Sequence, residues 1–255
     1  MSIIYEKREK IAIITINRPE VHNALDYQTL SELEQAWYDF RDDDALWVAI
    51  LTGAGDKAFC CGADLKEMES ISDEERKKRK RPPGIHKGID IFKPIICGIN
   101  GLAVGGGLEL ALASDIRVAA QGARLGLREV CVGLIPTGGG TQRLTRIIPL
   151  GIAMEMLLTG RLISADEALQ IGLVNKVVPQ NELMSECIRY AEKICENAPI
   201  AVRSAKESAI RGLSLPLNEG LRLETLLSLF VRETEDAKEG RKAFSEKRKP
   251  NYKGR

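Results

Sequence analysis

Along residues 3–16 apolar and polar positions alternate, with Arg8, Glu9 and Lys10 near the middle and the β-branched Ile11, Ile13 and Ile14 after them, which predicts a β-hairpin ending at Arg18-Pro19. Leu30, Leu33, Trp37 and Phe40 then recur at spacings of three and four behind Asp26, a helix-capping residue type, and predict an amphipathic helix. Residues 47–51 return to a strand that stops at Thr52-Gly53. The rhythm repeats, with a buried strand at 95–99, a helix at 107–113 and a short strand at 116–119. Strands alternating with helices favour an α/β fold with parallel pairing over a sandwich or a bundle. From about Leu183 the pattern is helical, and Leu221, Leu223, Leu226, Leu227, Leu229 and Phe230 load more than one helix face with apolar groups. Such a helix requires burial on several sides, so the tail is expected to pack on its own body, on a neighbouring subunit, or on both.

Composition narrows the picture. A chain of 255 residues can bury a full core, as one large domain or a main domain with an appendage. With 44% apolar and 29% charged residues and a net charge of +1, it is neither a disordered chain nor one drawn globally to nucleic acid. The first ten residues carry both signs of charge and no apolar core, so an uncleaved cytoplasmic chain is expected. The long apolar stretch 95–113 contains Asn100, Glu109 and a glycine cluster, which suits a buried strand, loop and helix rather than a membrane span. Six cysteines without a CxxC pair, and only two histidines, His22 and His86, argue against a zinc site; the cysteines are expected to be small buried hydrophobes. Residues 73–81 place three acids before six consecutive bases, ordinarily a solvated surface.

Two segments carry chemistry. VGGGLELALASDIR (104–117) runs three glycines into a helix-forming stretch, and amides at a helix N-terminus lack intrahelical partners and sit at the positive end of the dipole. They can bind a carbonyl oxygen that gains negative charge, and Gly106 is the candidate donor. FCCGADLKEM (59–68) again sets a glycine, Gly62, between a strand and a helix start, leaving the Ala63 amide as a second donor. Either cluster alone could mark a tight turn; two amides converging on one oxygen make an oxyanion hole. Glu109 lies in the apolar run LELALA and Glu129 in LGLREVCVGL. Buried acids need a partner or a task, and two of them beside an anion site point to paired acid–base work. Adding water to a double bond conjugated to a thioester needs a base for the water, an acid for the α-carbon and a hold on the enolate oxygen, without metal or cofactor.

INRPEVHNAL, KAFCCGADLKEM, GLAVGGGLELALASDIRVAA, LGLREVCVGLIPTGGGTQRL, LLTGRLISADEALQIGLVNKVVP and TEDAKEGRKAFSEKRKPNYK occur in an order that resembles the crotonase superfamily nearly end to end, most of all enoyl-CoA hydratase. The resemblance implies a crotonase-like spiral of ββα units over 1–190 and a C-terminal helical trimerisation region over 191–255, with trimers commonly paired into hexamers. It implies coenzyme A thioester substrates, the coenzyme being part of the substrate and not a separate cofactor. Carried to matching positions, it puts the oxyanion amides on Ala63 and Gly106, acyl-CoA contacts on Ala63, Asp64, Leu65 and Lys66, and the hydratase glutamates on Glu109 (activating water) and Glu129 (protonating the α-carbon). Lys247 is implied to approach the CoA phosphates from a neighbouring subunit. Arg128 stands where many hydratases carry proline and Thr137 where glycine is common, so the acyl pocket is expected to differ.

The expected reaction is reversible hydration of a trans-2-enoyl-CoA to a 3-hydroxyacyl-CoA. An enoyl-CoA isomerase or a specialised hydroxyacyl-CoA dehydratase is the alternative on the same scaffold, since one fold hosts several reactions. From a different class, the bases 76–81 could collect RNA phosphates. A catalytically silent assembly subunit is disfavoured by the presence of both acids.

Overall fold

The computed structural model describes residues 1–72, 74 and 80–255. The predicted hairpin is present as β1 (Ile3–Arg8) and β2 (Ile11–Ile16), paired antiparallel. Helix α1 (Tyr27–Asp42) follows, capped by the Asp26 carboxylate, which accepts from the Thr29 amide at 2.8 Å. Its buried face consists of the predicted Leu30, Leu33, Trp37 and Phe40, together with Thr29 and Ala36.

Two sheets result. The larger runs β1-β2-β3-β5-β7-β10, with β3 (Val48–Gly53), β5 (Ile95–Ile99), β7 (Ile116–Ala120) and β10 (Lys176–Val178) joined in parallel beyond β2. The smaller runs β4 (Ala58–Cys60), β6 (Leu102–Val104), β8 (Arg124–Gly126) and β9 (Ile163–Ser164), with only the last pair antiparallel. Residues of the large sheet alternate between two cores: Ala49, Leu51, Ile95 and Cys97 face the main core, whereas Val48, Ile50 and Ile96 face a second core under helix α7 (Leu183–Cys195). Burial on both faces explains the nearly unbroken apolar runs of these strands.

Three successive turns of chain each lay one strand in the large sheet and the next in the small one. They are β3–β4–α2, β5–β6–α3 and β7–β8 followed by a 3-10 segment, where α2 is Leu65–Ser70, α3 is Gly106–Ala113 and the 3-10 segment is Glu129–Val132. This is the expected ββα spiral. Its register sets Cys60 opposite Ala103, and Ala103 opposite Leu125. The segments leaving the C-terminal ends of β4, β6 and β8 are therefore neighbours, where ligands of parallel sheets commonly bind.

Helices α4 (Gly140–Ile147), α5 (Leu150–Thr159) and α6 (Ala165–Gln170) precede α7; α8 (Pro199–Gly212), α9 (Leu217–Glu233) and α10 (Glu235–Ser245) form the tail. Within the chain α9 buries no residue, and Leu226 is 65% and Phe230 60% exposed. Its expected burial is not met inside one chain because α9 packs mainly against α8 and α10. The cysteine expectation holds for Cys60, Cys97 and Cys187; Cys61 and Cys195 are half-buried and Cys131 is exposed beside α5. Among the described residues no helix is long and apolar enough to cross a membrane. Of the basic run 76–81, Arg76, Lys77, Lys78 and Arg79 lie outside the described residues.

Candidate active site

The first loop, after β4, turns through Gly62 at φ +85° and the second, after β6, through Gly105 at φ +55°, a left-handed conformation that disfavours side chains. The loops touch: a Cβ on Gly62 would lie 3.0 Å from the Gly106 amide nitrogen, and one on Gly106 would lie 3.9 Å from the Ala63 nitrogen. Neither of those two amides donates to an acceptor among the described residues, while neighbouring Asp64 and Gly105 donate to Leu25 and Gly126 carbonyls. Two adjacent unspent N–H groups, one of them at the positive end of α3, are donors of the type that can hold an anion.

Glu109 lies on the first turn of α3 and is only 4% exposed. Its Oε1 accepts from the Gly138 amide at 2.6 Å and the Gly140 amide at 2.9 Å. These two bonds fix the carboxylate and leave Oε2 for another partner. Glu129 arrives on the third turn, just beyond β8, and its Oε1 stands 3.3 Å from where a Cβ on Gly105 would be. Since Gly105 caps the helix that carries Glu109, the spiral brings both acids to the same helix end. Burial raises the pKa of Glu129, and the charge of Glu109 adds to it, against a local backbone hydrogen bond that lowers it. The buried Oε2 of Glu129 has no hydrogen-bond partner among the described residues. The two carboxyls thus differ in setting: one is held by two amides, and the other is partly desolvated, which raises its pKa above the ordinary glutamate value.

Ala63, Asp64, Leu65 and Lys66 continue from the first loop into α2. Asp64 caps that helix and takes an ion pair from Arg18 at 3.2 Å, while Leu65 and Lys66 are exposed. Lys247 is exposed beyond α10, its backbone bonded to the Phe244 carbonyl, and nothing described within the chain ties it to the loops around Gly62 and Gly105. Thr137 lines a cavity of about 870 Å³ next to the site, whereas Arg128 does not.

Sequence reasoning passed over the groups that hold Glu109. They come from the TGGG run 137–140, which was legible as a motif but whose contact with a residue about thirty positions earlier depends on tertiary register. It also passed over His86, whose ring edge Cδ2 lies 2.8 Å from where a Cβ on Gly138 would be, the same point that Glu109 Oε2 approaches at 2.5 Å. The one hint was a histidine in a chain with only two, just after Pro82-Pro83-Gly84.

A family model described as enoyl-CoA hydratase/isomerase matches residues 6–255. The chain belongs to the enoyl-CoA hydratase/isomerase family. It is 44% identical to the (E)-benzylidenesuccinyl-CoA hydratase of Thauera aromatica over 100% of both chains. It is 42% identical to the short-chain-enoyl-CoA hydratase of Clostridium acetobutylicum over 97% of this chain and 96% of that one. Among solved structures, the enoyl-CoA hydratase from Bacillus anthracis superposes with a TM-score of 0.94 at 42% identity, covering 100% of both chains. Membership in this family agrees with the ββα spiral.

Proposed function

We propose that the protein is an enoyl-CoA hydratase, a hydro-lyase that adds water reversibly to a trans-2-enoyl-CoA to give a 3-hydroxyacyl-CoA. The single observation that carries this reading is the pair of unspent amides, Ala63 and Gly106, beside two acids of unlike environment, Glu109 and Glu129. The thioester oxygen sits on the two N–H groups. Glu109 takes a proton from water as the water oxygen bonds to C3, and the π electrons move through C2 to the thioester oxygen as enolate. Glu129, whose raised pKa favours its protonated form, then delivers a proton to C2. One oxyanion donor contributes roughly 10² to 10³ in rate and a positioned acid or base roughly 10² to 10⁴, so no metal or separate cofactor is needed.

The wider reading goes with this one. Residues 63–66 contact the CoA, the chain from 191 on serves oligomerisation although α7 runs across that boundary, and Lys247 reaches a neighbouring subunit of a trimer or hexamer in a cytoplasmic setting. A second reading has a specific support: the cavity of about 870 Å³ beside Glu109 is larger than a four-carbon acyl group needs, and one relative is a hydratase of (E)-benzylidenesuccinyl-CoA. On that reading the hydrated acyl group is larger and specialised.

A panel of saturated, trans-2-unsaturated, 3-unsaturated and 3-hydroxylated CoA thioesters tests the proposal. Loss of the ultraviolet band of the conjugated thioester, with a product heavier by one water, is expected for trans-2-enoyl members. Conversion of the 3-enoyl members without any hydration would replace the proposal with an isomerase.

A further inference from the structure

The cavity beside the site is not lined by Glu109, Glu129, Ala63 or Gly106; it meets them through His86 and Gly139. Much of its wall is apolar, including Ile85, Ile89, Phe92 and Ile147. His86 is 9% exposed and forms the wall between cavity and Glu109. Its Nδ1 is buried without a hydrogen-bond partner among the described residues and faces Gly84, where a built Cβ would lie 2.8 Å away. A buried donor without an acceptor is rarer than an acceptor without a donor, so the imidazole proton belongs on Nε2. Nε2 makes no hydrogen bond among the described residues, and the His86 ring lines the cavity a ligand would fill. Burial first, then the charges of Arg81, Arg143 and Lys87, push the His86 pKa down to about 4, so this donor is neutral at ordinary pH.

Two guanidiniums share the cavity wall with His86. Arg143 donates through Nη1 to the carbonyls of His86 at 2.9 Å and Gly138 at 3.1 Å, and Arg146 donates through Nη1 to the Gln142 carbonyl and side chain. Neither has an ion pair among the described residues. The acids that line the same cavity do not neutralise them: Asp115 is held by Lys206 at 2.7 Å and by the Ile95 amide at 2.7 Å, and Asp90 is exposed. Arg143 feels the charge of Glu109, and Arg146 stands exposed farther along the same wall. An apolar wall, a neutral imidazole and two guanidiniums without an ion pair among the described residues make a receptor for an apolar chain with an anionic end.

We propose that this cavity takes the far part of the acyl group and that His86 Nε2–H, with Arg143 and Arg146, selects thioesters whose acyl chain carries a second carboxylate. The inference rests on the hydratase reading and names its substrate class. A matched series tests it: trans-2-enoyl-CoA esters of five to eight acyl carbons that end either in methyl or, at the same position, in carboxylate. In the unaltered protein the carboxylate member is expected to exceed its methyl partner in kcat/KM by about 10-fold or more at one length at least. That ratio is expected to fall about 10-fold in His86→Phe, which keeps a flat ring without the N–H, and to be partly kept in His86→Gln, which restores a donor. Arg146→Gln, at an exposed position outside the core, lowers the same ratio. A ratio below one at every length, or a ratio unchanged in His86→Phe and Arg146→Gln, overturns the proposal. Affinities of the corresponding saturated thioesters, measured by calorimetry, are expected to follow the same order, and equal affinities overturn it too. If no enoyl member is hydrated the hydratase reading fails, while the saturated pairs still decide recognition.

Discussion

At the scale of single residues, the proposed site holds two carboxyls in unlike settings. Glu109 is nearly enclosed yet its Oε1 is satisfied by two backbone amides. Glu129 has a raised pKa, chiefly from burial and secondarily from Glu109, and an Oε2 without a hydrogen-bond partner among the described residues. Because the folded chain binds this proton more tightly than the unfolded chain, the associated stability is present at low pH. It is lost as pH rises above the ordinary value of 4.5 and through the folded value. Glu129→Gln has no proton to lose. Its melting temperature relative to the unaltered protein is therefore expected to rise, by a few degrees or roughly that order, between about pH 4 and pH 8. Thermal melts across that range check this; a difference that is flat, or that runs the other way, contradicts the account of Glu129.

At the scale of elements, what the sequence showed and what it hid divide by range. The spacing Leu30, Leu33, Trp37, Phe40 specified α1 and its buried face, because helical period is a local property. The glycines before LELALA specified the start of α3 to within one residue. The amides of Gly138 and Gly140 were hidden as partners of Glu109, as was His86 against Gly138, because these contacts are set by how separate turns of the spiral stack. Helix α9 was legible as a helix with too many apolar faces, and in one chain Leu221, Leu226, Leu229 and Phe230 remain exposed. Leu226→Glu combined with Leu229→Glu places charges on that uncovered surface, and burying an unpaired carboxylate costs several kcal/mol or about that. Sedimentation at micromolar concentration is expected to find an oligomer for the unaltered protein and monomer for the double variant. A monomer in both cases removes the assembly role of α9.

At the scale of the whole molecule, the spiral is what makes a site from scattered residues. Parallel register between β4, β6 and β8 stacks the loop of Gly62, the loop of Gly105 and the segment entering Glu129, so groups spread over nearly seventy residues meet at one edge of a small sheet. The same stacking sets the cavity wall of His86 and Arg143 beside Glu109. The central claim is that Glu109 and Glu129 act together on one water and one thioester. The rate of crotonyl-CoA hydration in Glu109→Gln, in Glu129→Gln and in the double variant measures this most directly. Each single change is expected to lower kcat by about 10² to 10⁴, and the double variant is expected to be little slower than the worse single, because groups that act as a unit are not additive. Full activity in either single variant, with the fold intact, would contradict it.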